Sequence, residues 1–580
     1  MKIKKVIAFW GFLSFTGAAL AVETSIWMAD SYGSEMVYRS GTSIVERYHK
    51  GLGALSDEEQ AFALQALNEP KRSEGFFQST KFPLRSHYPS EEFQDLAERI
   101  LKIAEECWEV QVTRWGFPPP PPDCGYDDSD DMDIHIVSLP AGVGGYAAFR
   151  CYDESTPYTV AASFIGLSDA LPEAFLRSAV AHEFNHVLQN AIDYWESITF
   201  KEYTSTWAME WMYPEDDQYF QFLKAYQRNP HLPMNHFSQT NTYQYGAGIF
   251  LHFLSEYYGG GDPQIVLDVW NACRQTEFYN APDFIDGLKV VIPEYSKGVD
   301  TFADMMAEYA VWRTITSSRD DGVHFADGCK WAPGAEVVMD TEIDLGGSWP
   351  KTMTPDKPPL DYGFSYCRLV NPVSAPDGIL LEFSGDEAVD WVVVLVECRN
   401  NHTLHIKHRM EISDAKGKLM LTPVMLENAD EFIVGVVNLS NDEFDTNQTG
   451  EKRDYALTLR KAAPKTSIRL WTDSPMTGPG MDYVLNLEME YYGQPTELDL
   501  WLFVEIEGCF FSLFTNSDGI PVPVAIPLQN AFTVTTPIFQ FTMPELETEI
   551  PIRWHTALLS DQTVNDYRVI RSNLLPKVRL

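Results

Sequence analysis

Apolar positions follow a helical period in the first part of this chain. From Ser90 onward they recur every three or four residues, which predicts an amphipathic helix that Ser90 caps and that ends before Gly116. A longer helix is predicted over residues 168–192, because Pro172 suits a first helical turn and good helix formers follow it. Two more helices are expected, over 247–258 and 301–314. The region 90–320 is therefore predicted to be largely helical.

A small sheet is expected within this helical region. The glycine-rich run 142–149 and the run 159–167 predict two strands, and the second half of 127–137 alternates like a third. The acidic first half of 127–137 is able to hold a hard cation such as calcium. Its spacing does not fit the EF-hand pattern, however, which favours a solvated loop.

After about residue 335 the pattern changes to short alternating strands. Runs beginning at Ile379, Asp390, Glu431 and Tyr455 predict a β-sandwich over residues 336–462. The segment 461–466 is typical of a linker, and a second set of strands beyond it predicts another sandwich-like module over 466–575. The expected fold is multidomain α+β.

Length, composition and charge limit the classes of function. A chain of 580 residues is too long for one core, and 45% hydrophobic residues are typical of a folded protein. With 43 Lys and Arg against 83 Asp and Glu, the net charge of −40 repels nucleic acid and anionic lipid. We therefore expect neither as a partner.

The N-terminus has the three parts of a secretory signal peptide. Basic residues at 2–5 precede an apolar run at 6–20, and Ala19 and Ala21 form a small-x-small cleavage site. The alternative is a membrane anchor, but a span needs about 20 apolar residues and this run is shorter. We predict a signal peptide over 1–21, an N-terminal segment over 22–80, no span in the mature chain, and a secreted, periplasmic or cell-surface location.

Eight cysteines are sparse for an exported chain of this length. Five precede residue 335 and three follow it, so either a disulfide crosses the domains or some thiols stay free. The pairs cannot be assigned from the sequence. No CxxC occurs, which argues against a cysteine zinc site.

The stretch AHEFNHVLQ, residues 181–189, places two histidines inside the long predicted helix. His182 and His186 are four apart, so both rings project from one face and are able to bind one ion. Zinc suits imidazole ligands, and Glu183 is positioned to take a proton from water there. The alternative is a helix with two ordinary histidines, but the apolar neighbours imply burial and buried imidazoles need a partner. A strand beside such a helix often forms the edge on which an extended peptide lies.

A third protein ligand is required. Two downstream glutamates are candidates, Glu202 and Glu210, and loop length alone does not choose between them.

The motifs resemble a known family of enzymes. HEFNHVLQ followed by KEYTSTWAMEWMYP is similar to the thermolysin-like gluzincin metallopeptidases, and closer to secreted bacterial metalloproteases that share HEFFHxxQ and EGTATW motifs. The resemblance covers most of residues 80–320. It implies a zincin-like metallopeptidase domain over 81–335, made of a small sheet and active-site helices, in which Glu202 is the third zinc ligand. The sequence departs from the family pattern at Tyr203, Ser205 and Met209.

Other roles follow from the expected chemistry. Peptide hydrolysis needs a donor for the developing oxyanion, and Tyr245 is the candidate, with His236 or Tyr243 behind it. Thr206 lies one turn after Glu202 and is able to hydrogen-bond a ligand histidine or simply to pack. His135, His231 and His252 are expected to be structural.

The sequence predicts a secreted zinc metalloendopeptidase of the gluzincin type that acts on protein or peptide. Its metal ligands are His182, His186 and Glu202, its general base is Glu183, and its cofactor is one catalytic zinc ion, with calcium as a further option. One alternative is an inactive zincin-like surface or adhesion protein whose β-modules bind a glycan or protein. Another is a zinc hydrolase with a substrate other than peptide.

Overall fold

A computed structural model describes residues 38–574 apart from short gaps. The predicted signal peptide at 1–21 and residues 22–37 lie outside the described residues, as do Asp127 and most of the predicted linker. The gaps are 71–73, 127, 277–279, 332–334, 373–377, 441–452, 462–465, 473–475, 478–481, 492–495, 507–508, 516–521, 523, 529–531, 543–549 and 561–562.

A six-stranded sheet has the strand order β1-β5-β6-β4-β3-β2. Strands β6, β4 and β3 are parallel to one another, whereas β5 is antiparallel to β6. The predicted strands at 142–149 and 159–167 are confirmed as β5 and β6. Residues before 81 contribute β1 and β2. The strands are β1 (Arg39–Ser40), β2 (Gly75–Gln78), β3 (Leu84–Tyr88), β4 (Met132–Val137), β5 (Val143–Tyr152) and β6 (Ala161–Ser168).

Helices pack against this sheet and against one another. They are α1 (Thr42–Lys50), α2 (Asp57–Leu67), α3 (Gln94–Cys107), α4 (Glu173–Asn190), α5 (Ile198–Met212), α6 (Phe220–Gln227), α7 (Tyr243–Gly246), α8 (Ile249–Phe253), α9 (Gln264–Ala272), α10 (Phe284–Tyr295) and α11 (Phe302–Trp312). The predicted helices at 168–192 and 301–314 are confirmed as α4 and α11, and Pro172 lies at the N-cap of α4.

The helix predicted from Ser90 begins differently from the expectation. A 3-10 turn at Glu91–Phe93 precedes α3, and the Ser90 hydroxyl donates to Glu92 instead of capping the helix. The predicted cap is therefore wrong. The helical path continues as a π-helical stretch over Trp108–Arg114, which ends before Gly116 as expected. The helix predicted over 247–258 is likewise α8 followed by a π-helical stretch, Leu254–Tyr258.

A buried ion pair fixes α1 to α5. The Lys201 ammonium lies 2.8 Å from Glu46 Oε1, and both side chains are 1% exposed. Lys201 also donates to the Asn190 side chain and the Tyr194 carbonyl, at 2.7 and 2.8 Å. Burial raises the pKa of Glu46, but the ammonium groups of Lys201 and Lys50 outweigh it and lower that pKa to about 2. The first helix is thus tied to the helix that carries Glu202.

Residues 341–461 form a sandwich of two five-stranded sheets. The sheet orders are β13-β14-β10-β16-β8 and β12-β11-β15-β9-β7, and one core lies between them. The elements are β7 (Thr341–Asp344), β8 (Lys351–Met353), β9 (Phe364–Val370), β10 (Ile379–Gly385), β11 (Trp391–Arg399), β12 (Leu404–Met410), β13 (Ile412–Ser413), β14 (Lys416–Leu421), α12 (Pro423–Asn428), β15 (Glu431–Asn438) and β16 (Tyr455–Lys461).

The two sheets of this sandwich differ in how deeply their inner strands are buried. β10 alternates between buried and partly exposed positions as predicted, whereas every residue of β11 from Trp391 to Cys398 is buried. Val393 and Leu395 enter the sandwich core, while Val394 and Val396 join the core of the helical region. Simple alternation is therefore the wrong expectation for β11, because the helices cover its outer face.

The last part of the chain is also sandwich-like. Its sheets follow the orders β17-β19-β23 and β18-β25-β24-β20-β21, with β22 paired to β20, and apolar residues from both sheets share one core. The strands are β17 (Thr466–Thr472), β18 (Met476–Thr477), β19 (Asp482–Tyr491), β20 (Thr496–Ile506), β21 (Cys509–Ser512), β22 (Val524–Leu528), β23 (Phe532–Thr542), β24 (Ile550–Ser560) and β25 (Thr563–Leu574).

Of the two alternatives left open by the sequence, the one in which some thiols stay free is observed. Cys124 and Cys151 form a disulfide within the first region, and the other six cysteines have free thiols. Among the helices of the described residues, none combines the length and apolar character needed to cross a membrane.

Candidate metal centre

Two helices bring three ligand atoms together. His182 and His186 lie one turn apart on α4, with their Nε2 atoms 3.1 Å from each other. Helix α5 begins where the Ser197 hydroxyl caps it, accepting from the Phe200 N–H at 3.2 Å. It carries Glu202, whose Oε2 lies 3.1 Å from His182 Nε2 and 3.5 Å from His186 Nε2.

The spacing of these atoms fits a zinc ion. Tetrahedral zinc with bonds of about 2.0–2.1 Å holds its ligand atoms about 3.3 Å apart. The three observed separations, 3.1, 3.1 and 3.5 Å, bracket that value. The second carboxylate oxygen, Oε1 of Glu202, is buried and has no hydrogen-bond partner among the described residues. A buried carboxylate with an unpaired oxygen is costly, and a cation at this point would compensate it.

Gln189 prepares His186 for metal binding. Its side-chain N–H₂ is engaged with Asn185 Oδ1 at 2.6 Å, and with the Lys201 carbonyl and Ser205 Oγ at 2.9 Å each. The side-chain oxygen therefore faces His186 and accepts from its Nδ1 at 2.9 Å. With the proton held at Nδ1, Nε2 of His186 keeps the lone pair that binds a metal. These hydrogen bonds also connect α4 to α5.

Burial and charge shift the ionisation of this group in opposite directions. Burial raises the pKa of Glu202, but the imidazoles of His186 and His182 outweigh it, so that the pKa lies below its usual value. Burial lowers the pKa of His186, but the Glu202 carboxylate outweighs it and raises that pKa. An anionic Glu202 is the form that binds a cation.

Glu183 lies beside the ligand group and against the backbone of β5. It is buried, and its Oε2 accepts a hydrogen bond from the Thr42 hydroxyl at 2.8 Å. A Cβ at Gly145 would lie 2.9 Å from Glu183 Cγ, so the glutamate needs a glycine at this position of the strand. Burial raises the pKa of Glu183, partly offset by His182 and His186. A raised pKa suits a carboxylate that must accept a proton near neutral pH.

Tyr245 is brought to the same pocket. Its ring centroid lies 5.9 Å from that of His182, and its hydroxyl donates to the Ser40 carbonyl at 3.2 Å. Burial raises the pKa of Tyr245 well above its usual value, so the hydroxyl stays protonated and able to donate. Tyr243 donates instead to the Leu232 and Pro233 carbonyls, and His236 packs edge-on against the Tyr243 ring.

An N-terminal strap, residues 38–41, covers the pocket. Strand β1 pairs in parallel with β5, through the Arg39 N–H to the Gly142 carbonyl and the Gly41 N–H to the Gly145 carbonyl, at 2.8 and 2.7 Å. The cavity that remains has a volume of about 40 Å³ and is lined by residues that include Tyr38, His182 and Met209. It is too small for a peptide, since ligand pockets usually enclose about 300–1,000 Å³.

The other glutamate considered as a ligand lies elsewhere. Glu210 is outside the group of His182, His186 and Glu202, and burial raises its pKa to about 8. Thr206 does not hydrogen-bond a ligand histidine; its buried hydroxyl has no partner among the described residues. Of the two roles considered for Thr206, packing is therefore the one observed, and Gln189 is the residue that hydrogen-bonds His186.

The three departures from the family pattern leave Glu202 in place. Tyr203 is buried and its hydroxyl donates to the Met234 carbonyl, away from the ligands. Ser205 accepts from Gln189, so it supports the group indirectly. Met209 lines the cavity.

The histidines expected to be structural occupy polar or packed positions. His135 Nε2 lies 2.9 Å from Glu69, and its ring stacks on His87. His135, His87 and Asp133 could together hold a cation, although Arg150 already places a positive charge there, 2.8 Å from Asp133. His252 packs against Trp211 and Tyr219, and burial lowers its pKa to about 4. The backbone carbonyl of His231 accepts from the Leu360 N–H.

Sequence reasoning missed Gln189, Thr42 and Ser40. Gln189 could have been found, because it lies one turn after His186 on the same face of the helix. Thr42 carried no local signal, since 141 positions separate it from Glu183.

Comparisons with known proteins add little. No protein-family model matches the chain, and no curated protein matches it. A glycosyl hydrolase family 2 member from Bacteroides cellulosilyticus DSM 14838 is 10% identical with a TM-score of 0.15, covering 36% of this chain and 28% of its own. Sporulation control protein Spo0M from Bacillus subtilis is 11% identical with a TM-score of 0.14, and the match covers 20% of this chain and 50% of that protein. A β-glucuronidase from Bacteroides uniformis is 13% identical with a TM-score of 0.14, and the match covers 37% of this chain and 26% of that protein. The chain thus spans half or less of each protein, and likenesses this low carry no argument.

Proposed function

We propose that this chain is a secreted zinc-dependent endopeptidase with a zincin-like catalytic domain. The observation that supports the proposal most directly is the spacing of the His182, His186 and Glu202 ligand atoms, with Glu183 alongside. Zinc held by these residues would supply Lewis-acid polarisation of a carbonyl. The predicted signal peptide supports export.

The chain's own residues account for the remaining chemistry. Glu183 takes the proton from the attacking water and returns it to the leaving amine. Tyr245 donates a hydrogen bond to the oxygen of the scissile carbonyl as negative charge develops on it. Gln189 keeps the His186 tautomer and links the helices that carry the ligands. Strand β5 offers its edge to an extended peptide.

The strap and Thr42, the first residue of α1, contact the groups that this chemistry needs. Thr42 donates to Glu183, Tyr245 donates to Ser40, and β1 takes the edge of β5. A peptide therefore requires displacement of residues 38–41 and loss of the Thr42 hydrogen bond to Glu183. The covered pocket also favours a second candidate, an inactive zincin-like surface protein whose β-modules bind a glycan or protein.

The decisive experiment compares zinc content and hydrolysis in the parent and three variants. We expect the Glu202→Ala variant to lose one zinc per chain relative to the parent, and Glu183→Gln to keep zinc but lose on the order of 10²- to 10⁴-fold in casein hydrolysis. Glu210→Gln is the matched control, because its raised pKa keeps that carboxyl neutral near pH 7. The comparison is made on the full chain and on a chain that begins at Thr42.

Two results would count against the enzyme. Zinc bound without hydrolysis in either chain would favour the inactive surface protein. Zinc content unchanged in Glu202→Ala would overturn the metal centre itself.

A further inference from the structure

A second group of metal-ligating side chains lies where the first sandwich meets the helical region. Cys398 is near the end of β11, His402 is in the following turn, and His405 is in β12. Each offers a ligand atom, and these atoms lie within 4.8 Å of one another. Cys398 and His405 are directly opposite each other in the β11–β12 ladder, which places their side chains on one face of the sheet.

Two buried imidazole nitrogens in this group have no hydrogen-bond partner within the part of the chain that the structure describes. The His405 side chain is 1% exposed, and its Nε2 is buried without a hydrogen-bond partner among the described residues. Nδ1 of His402 is likewise buried without one. Two imidazole nitrogens left unpaired beside a buried thiol are costly unless something compensates them.

An outer carboxylate orients His405. Asp321 Oδ2 lies 3.1 Å from His405 Nδ1 and 2.9 Å from His324 Nδ1. This contact holds the His405 proton at Nδ1 and leaves Nε2 as a metal-binding lone pair. The same carboxylate–histidine pairing commonly supports zinc ligands.

The surrounding charges are compatible with a divalent cation. Glu431 lies 3.8 Å from His402 Nε2 and pairs with Arg319 and Arg368. Asp321 is a second carboxylate at the edge of the group. Glu431, Asp321 and a Cys398 thiolate are three anions, which is one more than the two arginines. A divalent ion would therefore leave little net charge in this buried place.

We propose that Cys398, His402 and His405 bind a second zinc ion, with Asp321 as the positioning residue for His405. Thiolate and imidazole ligands favour zinc over calcium or magnesium. Zinc bonds of about 2.0–2.3 Å would draw the three ligand atoms to about 3.3–3.6 Å from one another. His402 is 26% exposed, which leaves water access to the fourth position. No CxxC is present, so no local motif indicates this site.

The site would connect two parts of the molecule. Cys398, His402 and His405 belong to the sandwich, whereas Asp321 and His324 follow α11 in the helical region. Bound zinc would therefore reinforce the contact between these parts. This role does not depend on whether the centre at His182 is catalytic.

Cobalt substitution tests the proposal, because this site offers a thiolate ligand whereas the ligands of the His182 centre are nitrogen and oxygen atoms. The full chain loaded with Co²⁺ is expected to show near-ultraviolet thiolate-to-cobalt charge transfer, with two cobalt ions per chain. Cys398→Ser should remove that band and one ion. Cys367→Ser is the matched control, since Cys367 is a buried cysteine of the same sandwich outside the group.

A second variant, at the partly exposed His402, separates loss of metal binding from loss of the fold. His402→Ala leaves the core residues in place and is expected to weaken binding at this site by at least about tenfold while the chain keeps its circular dichroism. Absence of the charge-transfer band in the parent, or its survival in Cys398→Ser, would overturn the second site. Loss of the His182 centre in Glu202→Ala should leave the band unchanged, which separates this proposal from the proposed peptidase.

Discussion

At the residue scale, the side chains of the candidate metal centre are oriented by hydrogen bonds as much as by helical spacing. Gln189 receives the Nδ1 proton of His186 and donates to two groups on α5. Thr206, also near the ligands in sequence, has a buried hydroxyl with no partner among the described residues. Loss of the Gln189 side chain would therefore remove hydrogen bonds to His186 and to α5, whereas loss of the Thr206 hydroxyl would remove none among the described residues.

Replacing Gln189 by leucine should weaken zinc binding at this centre. We expect an affinity about 10- to 100-fold lower, because outer hydrogen-bond partners of ligand histidines typically contribute that much. Thr206→Val should leave the affinity unchanged, since it removes no hydrogen bond. The measurement is competition with a zinc chelator in a Cys398→Ser background. Equal affinities for both variants would show that Gln189 does not position His186.

Gly145 tests the placement of Glu183. Alanine there would put a Cβ 2.9 Å from both Glu183 Cγ and Leu167 Cδ2, so the side chains packed here, Glu183 among them, must shift. We expect kcat on a peptide substrate to fall up to about 100-fold, as misplacement by about 1 Å can cause. Zinc content should not change. Gly144→Ala is the control, since its nearest neighbour would lie at an ordinary 3.4 Å; equal losses in both variants would contradict the assignment.

At the scale of elements, the strap occupies the strand edge that the proposed peptide substrate would need. Without β1, β5 would be the edge strand of its sheet. The strap is short, whereas α1 and α2 share a separate core with β5 and β6, and the Glu46–Lys201 pair holds α1 in place. The strap could therefore leave while the helices stay.

A chain that begins at Thr42 should be more active than one that begins at Tyr38. It lacks the backbone hydrogen bonds of Arg39 and Gly41 to β5 and frees the Tyr245 hydroxyl from Ser40. We expect kcat/KM on a peptide to rise by about tenfold or more, since the free-enzyme state no longer has to open. Identical kcat/KM values for the two chains would show that the strap does not limit access.

At the scale of the whole molecule, the helical region and the first sandwich share one core. Val392, Val394 and Val396 of β11 pack into the same cluster as the residues of α4, α5 and α11. Tyr366 donates to the Ala310 carbonyl at 3.2 Å, and Arg409 and Lys407 pair with Asp304 and Glu308. The last sandwich has a core of its own.

This arrangement predicts which truncations fold. A chain that ends at residue 339 exposes the apolar surface that β11 covers, so we expect it to aggregate and to show no cooperative thermal transition. A chain that ends at residue 462 keeps the shared core and should unfold cooperatively, as followed by calorimetry and near-ultraviolet circular dichroism. A monomeric 339-residue chain with the parent's transition temperature would contradict a shared core.

The sequence by itself determined the features that depend on local periodicity. Helix α4, the common face of His182 and His186, and the position of Glu183 follow from spacing along one helix. The strands of the sandwiches follow from runs of apolar and β-branched residues.

Tertiary structure alone decided what depends on contacts between distant segments. Packing of α5 on α4 places Glu202 rather than Glu210 beside the histidines. Pairing of β1 with β5 brings Thr42 to Glu183, and docking of the helical region on β11 places Asp321 beside His405. These pairs lie many positions apart, so no local pattern encodes them. The physical reason is that chain closure over such separations is driven by the shared core and not by the residues that meet there.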